Sequence, residues 1–263
     1  MLVTLMAGFS GWLLFLQAYR IGAYCQYCLI SAATTFTLFI LFLVSMLWPR
    51  RGAGSIAGGP HPGDPAPSIT RTTYILMFAA FAIVSLALLG VRTLVPPDEG
   101  RYAEMAREMF ASGDWITTRL NGIKYFEKPP LQTWMNALSF AVFGLGDWQA
   151  RLWTGLCGVG GVALTGYAGA KVFGRRAGFY AALVLGSSFY WAACAQIDSL
   201  DMGLSGMMTI ALCGLLIAQR DDASPAERRN WMLACWAGMA LAVLSKGLIG
   251  LVLPGAVLVL YTL

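Results

Sequence analysis

The chain has 263 residues, of which 58% are hydrophobic and only 12% charged, about half the charged share of an ordinary soluble domain. That balance excludes a soluble globular enzyme and places the chain in a bilayer, which apolar runs of about 20 residues cross as helices. The net charge of +5 does not make it a nucleic-acid binder, because its basic residues stand in short connections between apolar runs.

Residues 2–19 and 25–48 are the first two expected spans. No cleavable signal peptide is expected, since residues 1–24 lack a basic start and a second apolar run follows almost at once. At the outward end of the second span stands Tyr24-Cys25-Gln26-Tyr27-Cys28. Two thiols at i and i+3 on a helix start can close a disulfide, and the helix N-terminus favours the thiolate of the more exposed Cys25. The alternative is a chance pair of buried cysteines; a start on the oxidising face favours redox chemistry. Zinc would need two further ligands, which no second pair supplies. Cys157, Cys194, Cys213 and Cys235 lie singly in apolar runs and read as small hydrophobes.

Residues 49–72 (PRRGAGSIAGGPHPGDPAPSITRT) are rich in Gly and Pro without hydrophobic period, and read as a linker between a front module, 1–48, and a back module, 73–263. The only histidine, His61, lies there without partners for a metal. The back module is expected to cross at 73–95, 150–172, 177–194, 201–219, 231–246 and 248–263, making about eight spans in an all-α, polytopic membrane helix bundle. After Pro96-Pro97, DEGRYAEMAREMF reads as an amphipathic helix with Tyr102, Met105, Ala106 and Met109 on its apolar face and Arg101, Glu104 and Glu108 opposite. Asp98 could be the N-cap of this helix, and Glu127 and Lys128 ordinary turn residues before Pro129-Pro130.

Topology follows from charge and parity. Nine of the 18 basic residues fall in 49–72, 171–176 and 220–230, clusters that mark the cytoplasmic side. The opposite face receives the other nine, so the clusters in short loops carry the inference. If 49–72 and 171–176 share a side, the spans 73–95 and 150–172 already make the required two crossings. The run 131–145 must then return to the face it left, and its length of about 22 Å as a helix fits an interfacial or re-entrant segment. Asp98, Glu99, Arg101, Tyr102, Tyr125, Glu127, Lys128, Asp198, Asp201 and Lys246 all fall on the outer face. Each could be a solvated span end, where charge costs far less than the about 2.5–3.5 kcal/mol of mid-bilayer. Convergence from separate connections on one face favours one shared polar site.

Two resemblances emerge from these motifs. The stretch LLFLQAYRIGAYCQYCLISAATTFTLFILFL resembles the last two spans of the bacterial vitamin K epoxide reductase family. The resemblance implies disulfide exchange at Cys25 and a quinone-side thiol at Cys28, with a quinone as cofactor. The family's earlier spans and shuttle cysteines are absent, so a tail and not a working reductase is expected. PPDEGRYAEMAREM, SGDWITTRLNGIKYFEKPPLQTW, FGLGDWQARL, KVFGRRAGFYAALVL, AQIDSLDM and LSKGLIGLVLP together resemble the front half of the aminoarabinose transferase family, over nearly all of 73–263. These are GT-C type glycosyltransferases related to protein O-mannosyltransferases.

The second resemblance implies a partial GT-C fold and transfer of a sugar from a polyprenyl-phosphate carrier to lipid A or another lipid or protein acceptor at the periplasmic face of the bacterial inner membrane. Such chemistry needs cations for the departing phosphate and carboxylates to orient sugar and acceptor. Lys128 and Arg101 are the candidate phosphate or acceptor contacts, and Asp98 the candidate central carboxylate. It would act as base toward a hydroxyl acceptor or as an orienting group toward a phosphate. Glu99 shares the Asp-Glu motif, Tyr102 and Tyr125 would flank sugar or carrier, and Asp201 and Lys246 match further polar contacts. Glu127 matches a family residue linked to a divalent metal such as zinc, and Asp198 has no clear counterpart. The family continues beyond the position matching Leu263 with further spans and an outer-face domain carrying remaining ligands. The expectation is therefore an incomplete transferase, against the alternatives of a membrane thiol–quinone oxidoreductase or a non-catalytic membrane fragment.

Overall fold

The computed structural model describes residues 71–262, within the second of two compact units, Met1–Ala66 and Pro67–Leu263. The expected spans 2–19 and 25–48, the Cys25/Cys28 pair and nearly all of the linker lie outside the described residues. The described order is α1 (Arg71–Ala87), α2 (Asp98–Ser112), β1 (Arg119–Leu120), β2 (Ile123–Lys124), α3 (Leu131–Phe143), α4 (Asp147–Phe173), α5 (Arg175–Ser187), α6 (Phe189–Ala195), α7 (Leu200–Ala218), α8 (Pro225–Lys246) and α9 (Ile249–Thr262). This is a helical membrane bundle with one short hairpin.

By length and apolar composition, α1 with its 3-10 extension, α4 and α7 can each cross a membrane, and α5 and α6 add a fourth span if taken together. The apolar run 177–194 leads one to expect a single span. The structure instead bends the pair by 65°. Ser188 adopts an extended conformation (φ −64°, ψ 119°), the α-helical ladder restarts at Phe189, and the Trp191 indole of α6 donates to the Gly158 carbonyl of α4 at 3.1 Å. Similarly, α1 and its extension end at Gly90, short of the expected 95. The backbone that follows is non-helical, and its carbonyls serve a buried arginine described below. α8 is longer than expected: Ser224 caps it by accepting from the Glu227 N–H at 3.2 Å, and Pro225 stands in its first turn.

α2 is the amphipathic helix that the spacing predicts, with Tyr102, Met105, Ala106 and Met109 all buried. Pro97, not Asp98, occupies the N-cap position, and Asp98 is the first helical residue. Ala103, Ala106 and Met109 pack with Ala137 and Phe140 of α3 and Ala150 of α4. α3 is 13 residues long, about 20 Å, too short to cross the core of a bilayer.

The β1–β2 hairpin between α2 and α3 was not anticipated, although Asn121-Gly122 signals it. Both residues have positive φ (53° and 76°), the geometry in which a two-residue turn matches strand twist. Arg119 pairs with Lys124 and Leu120 with Ile123. Glu108, on the polar side of α2, accepts from the Gly122 N–H at 3.1 Å and pins the turn to the helix.

Candidate functional site

Antiparallel neighbours place the end of α1, the start of α4, the α6–α7 connection and the end of α8 together. Two polar assemblies form there, one exposed and one buried.

The exposed assembly is built by α2 and the loop after the hairpin. Asp98 and Arg101, one turn apart, form an ion pair, and the Arg101 guanidinium carbon lies 5.4 Å from the centroid of the Tyr102 ring. The Thr118 hydroxyl donates to the Tyr125 carbonyl, and the Tyr125 N–H donates to the Thr118 carbonyl at 2.9 Å. The loop is thereby closed so that the Tyr125 hydroxyl donates to Glu127 at 2.6 Å and Lys128 lies 3.0 Å from the same carboxylate. Leu120 and Tyr125 pack against a small cluster of Tyr102, Met105 and Leu200, which ties α2, the hairpin and the start of α7 together.

The charges in this assembly compensate one another. Hydrogen bonds from Tyr125 and Lys128 hold the Glu127 carboxyl below its ordinary value. The hydrogen bond to Glu127 pushes both Lys128 and Tyr125 up. Burial pushes Tyr102 up as well. At neutral pH two cations, Arg101 and Lys128, therefore stand beside two carboxylates, with two neutral phenols between them. Each cation is one-third exposed and already paired, so an incoming phosphate competes with a carboxylate partner. The Arg101 Nε is buried and has no hydrogen-bond partner among the described residues, leaving it a donor to offer. Asp201 and Lys246 form a separate, half-exposed ion pair between the start of α7 and the end of α8. Leu200, the residue before Asp201, packs with Tyr102.

The buried assembly was missed by sequence reasoning. Glu99 is 1% exposed and does not join its neighbour Asp98 at the surface. Its carboxylate accepts from Arg92 (2.7 and 3.2 Å), from Arg151 (2.8 and 2.9 Å), from the Val95 N–H (2.7 Å) and from the Asp198 N–H (2.8 Å). Glu99 was expected to bind substrate; this geometry uses its oxygens within the protein. Arg151, fully buried, spends its remaining donors on the carbonyls of Leu89, Arg92 and Thr93, so all five guanidinium N–H groups are satisfied. Burial alone would raise the Glu99 pKa, but the hydrogen bonds from Arg151 and Arg92 outweigh it and bring it to about 2.

Asp198, expected on the outer face of the bilayer, is also fully buried. Its carboxylate accepts from Gln132 at 2.7 Å and from Asn136 at 3.0 and 2.9 Å, both on α3. Burial pushes its carboxyl up to about 7 despite these bonds, and the Glu99 charge adds to the rise. Gln132 and Asn136 at i and i+4 in an otherwise apolar run, and Arg151 just inside a span, were the sequence signals of this network.

Glu127 was the candidate metal ligand. No group of three or more His, Cys, Asp or Glu side chains able to hold an ion occurs among the described residues. Glu127 contributes one exposed carboxylate, and the described residues do not by themselves fit a divalent metal.

Apolar helices joined by short charged connections, with a cluster of cations, carboxylates and phenols at their shared end, define a multi-pass membrane protein of GT-C glycosyltransferase type. Residues 70–263 match the model described as dolichyl-phosphate-mannose-protein mannosyltransferase, and the chain belongs to that family. Residues 1–43 match the model of the vitamin K epoxide reductase family. An undecaprenyl phosphate-alpha-4-amino-4-deoxy-L-arabinose arabinosyl transferase of Shewanella sediminis is 33% identical over 179 residues, covering 68% of this chain and 33% of its own length. A similarly named protein of Proteus mirabilis is 34% identical over 194 residues, covering 71% of this chain and 34% of its own. Crystal structures of ArnT from Cupriavidus metallidurans, apo and bound to undecaprenyl phosphate, match with TM-score 0.70 at 49% and 48% identity. Each match covers 73% of this chain and 36% of the other. The chain thus spans about a third of the length of the relatives it matches.

Proposed function

We propose that residues 73–263 form the donor-side half of a site that moves a sugar from a polyprenyl-phosphate carrier to lipid A or another lipid or protein acceptor, on the periplasmic face of a bacterial inner membrane. The observation that carries this reading is the exposed assembly, in which Arg101 and Lys128 are held beside Asp98 and Glu127 by α2 and the closed loop after the hairpin. The likeness to proteins named as arabinosyl transferases acting from undecaprenyl phosphate supports the same chemistry.

In this reading an acceptor oxygen forms the new bond to the sugar's anomeric carbon as the bond from that carbon to the carrier's phosphate oxygen breaks, and Lys128 and Arg101 leave their carboxylates to take up the departing phosphate's charge. Asp98, freed from Arg101, orients the acceptor, or accepts its proton where the acceptor is a hydroxyl. Tyr102 and Tyr125 wall the sugar, and Asp201 with Lys246 adds polar contacts from α7 and α8. A divalent ion at Glu127 would need ligands from outside the described residues, and no step is assigned to it.

The test is a transferase assay on this chain joined to the remaining two-thirds of a relative. Asp98→Asn is expected to lower kcat at least 100-fold, and Lys128→Ala to raise the apparent KM for the carrier about tenfold. Full activity with both residues replaced refutes the reading.

The match of residues 1–43 to the vitamin K epoxide reductase family favours a second, separate reading of the front module: Cys25 and Cys28 form a reducible disulfide on the same outer face, with a quinone the class of cofactor implied. Differential alkylation and mass spectrometry of membranes prepared without reductant should find these two cysteines oxidised together. Two free thiols there would contradict it.

A further inference from the structure

We propose that Asp198 is a positioning residue of the transferase site, setting the distance between the Lys128 end of α3 and the Asp201 end of α7. It deepens the reading above and rests on it for the identity of the ligand.

Two functional residues flank this joint. Lys128 stands three residues before α3, and Asp201 three residues after Asp198, in the first turn of α7. Between them, the Asp198 side chain accepts from Gln132 and Asn136, one turn apart on the buried face of α3. The Asp198 backbone N–H is fixed in turn on Glu99, the neighbour of Asp98. One residue therefore touches, through its two ends, the helix that follows Lys128, the helix that begins at Asp98 and the backbone that leads to Asp201. The preceding backbone is tied as well, because the Gln196 carbonyl accepts from Arg92 at 2.8 Å and its side chain donates to the Ser85 carbonyl at 2.8 Å.

Among the described residues the hydrogen bonds of Asp198 go to Gln132, Asn136 and Glu99 and not to the exposed assembly, so its action runs through the elements it joins. A carboxylate suits the place because Gln132 and Asn136 both present N–H donors to it; an apolar side chain would leave the Asn136 amide N–H buried without its acceptor and the Gln132 amide with only its 3.2 Å bond to Asn136 Oδ1. The strain would be released by shifting α3, and Lys128 with it.

The experiment uses the full chain in lipid nanodiscs with undecaprenyl phosphate as the probe. Asp198→Ala is expected to weaken binding at least fivefold, and Asp198→Asn, which keeps shape and one acceptor, to stay within twofold of the parent chain. In a Lys128→Ala background, Asp198→Ala should add less than twofold, because both act on one contact. Parent-like binding by Asp198→Ala, or losses that multiply fully in the double variant, overturns the proposal. If the parent chain does not bind the probe, the carrier reading fails, and hydrogen exchange decides the positioning role alone. Asp198→Ala must then speed exchange in 124–137 and 196–203 together while 225–246 keeps its rate; no change, or a uniform rise, overturns it. Should Asp198→Ala fail to assemble, Asn136→Ala removes the same contact from the other side and carries the same expectations.

Discussion

At the residue scale, the exposed and buried carboxylates of α2 differ because adjacent helical positions point about 100° apart. Asp98 faces water and can exchange partners, whereas Glu99 faces Arg151 and is fully committed. Removing one partner of such a buried ion pair costs about 3–5 kcal/mol, since it strands the other charge. Glu99→Gln also turns an amide N–H toward two arginines, and a large fall in thermal midpoint is expected.

The pH dependence has opposite signs at the two buried acids. The Glu99 pKa is depressed from 4.5 to about 2, worth about 3 kcal/mol, so its contribution is present above about 4.5 and lost as pH falls toward 2. The Asp198 pKa is raised from 3.8 to about 7, so its contribution is present below about 4 and lost as pH rises through 7. Together the two favour the fold most near pH 4–5. Melting in detergent across pH 3–8 should show Glu99→Gln approaching the parent chain at the acid end. Asp198→Asn should gain on the parent as pH rises from 4 to 7. Parallel curves for all three proteins would contradict this account of the network.

At the element scale, helices in lipid cannot draw on the hydrophobic effect to associate, so close backbone approach and interhelical polar contacts decide which pairs hold. α7 and α8 meet at Gly238, where a Cβ would stand 2.7 Å from the Ala211 nitrogen and 2.9 Å from the Met207 carbonyl oxygen. Those are backbone atoms that cannot rotate aside. Gly238→Leu should therefore separate α8 from α7 and carry Lys246 away from Asp201. The expected outcome is a lower thermal midpoint together with loss of coupling between Asp201 and Lys246 substitutions in a double-mutant cycle of carrier binding. Leu216→Ala, at a 39% exposed position on α7, serves as the control and should change little.

At the scale of the whole molecule, parity predicts 96–149, Asp201 and Lys246 on one side and 220–230 on the other. Single cysteines at Ser112 and Ser224 separate the alternatives in intact cells with an impermeant thiol reagent. Position 112 should label and position 224 should not; the reverse pattern would invert the orientation and remove the site from the periplasm. The basic clusters of the short connections are the physical basis for the expected sign, since Lys and Arg resist translocation.

The sequence by itself determined the membrane setting, most of the helices and the residue types of the exposed assembly. Apolar runs of spanning length dictate a bilayer, the 3.6-residue period of α2 dictates its buried face, and the ordered motifs from PPDEGRY to LSKG carry the family likeness. Local chemistry also marks the hairpin at Asn121-Gly122. Only the tertiary structure decided which acids face water. Asp98 and Glu99, or Asp198 and Asp201, are equivalent letters in a polar connection. Their separation into exposed and buried sets depends on Arg151 from α4 and on Gln132 and Asn136 from α3 arriving at the same end of the bundle. Burying a charge is tolerable only when partners distant in sequence converge on it, and that convergence is a property of the packed helices.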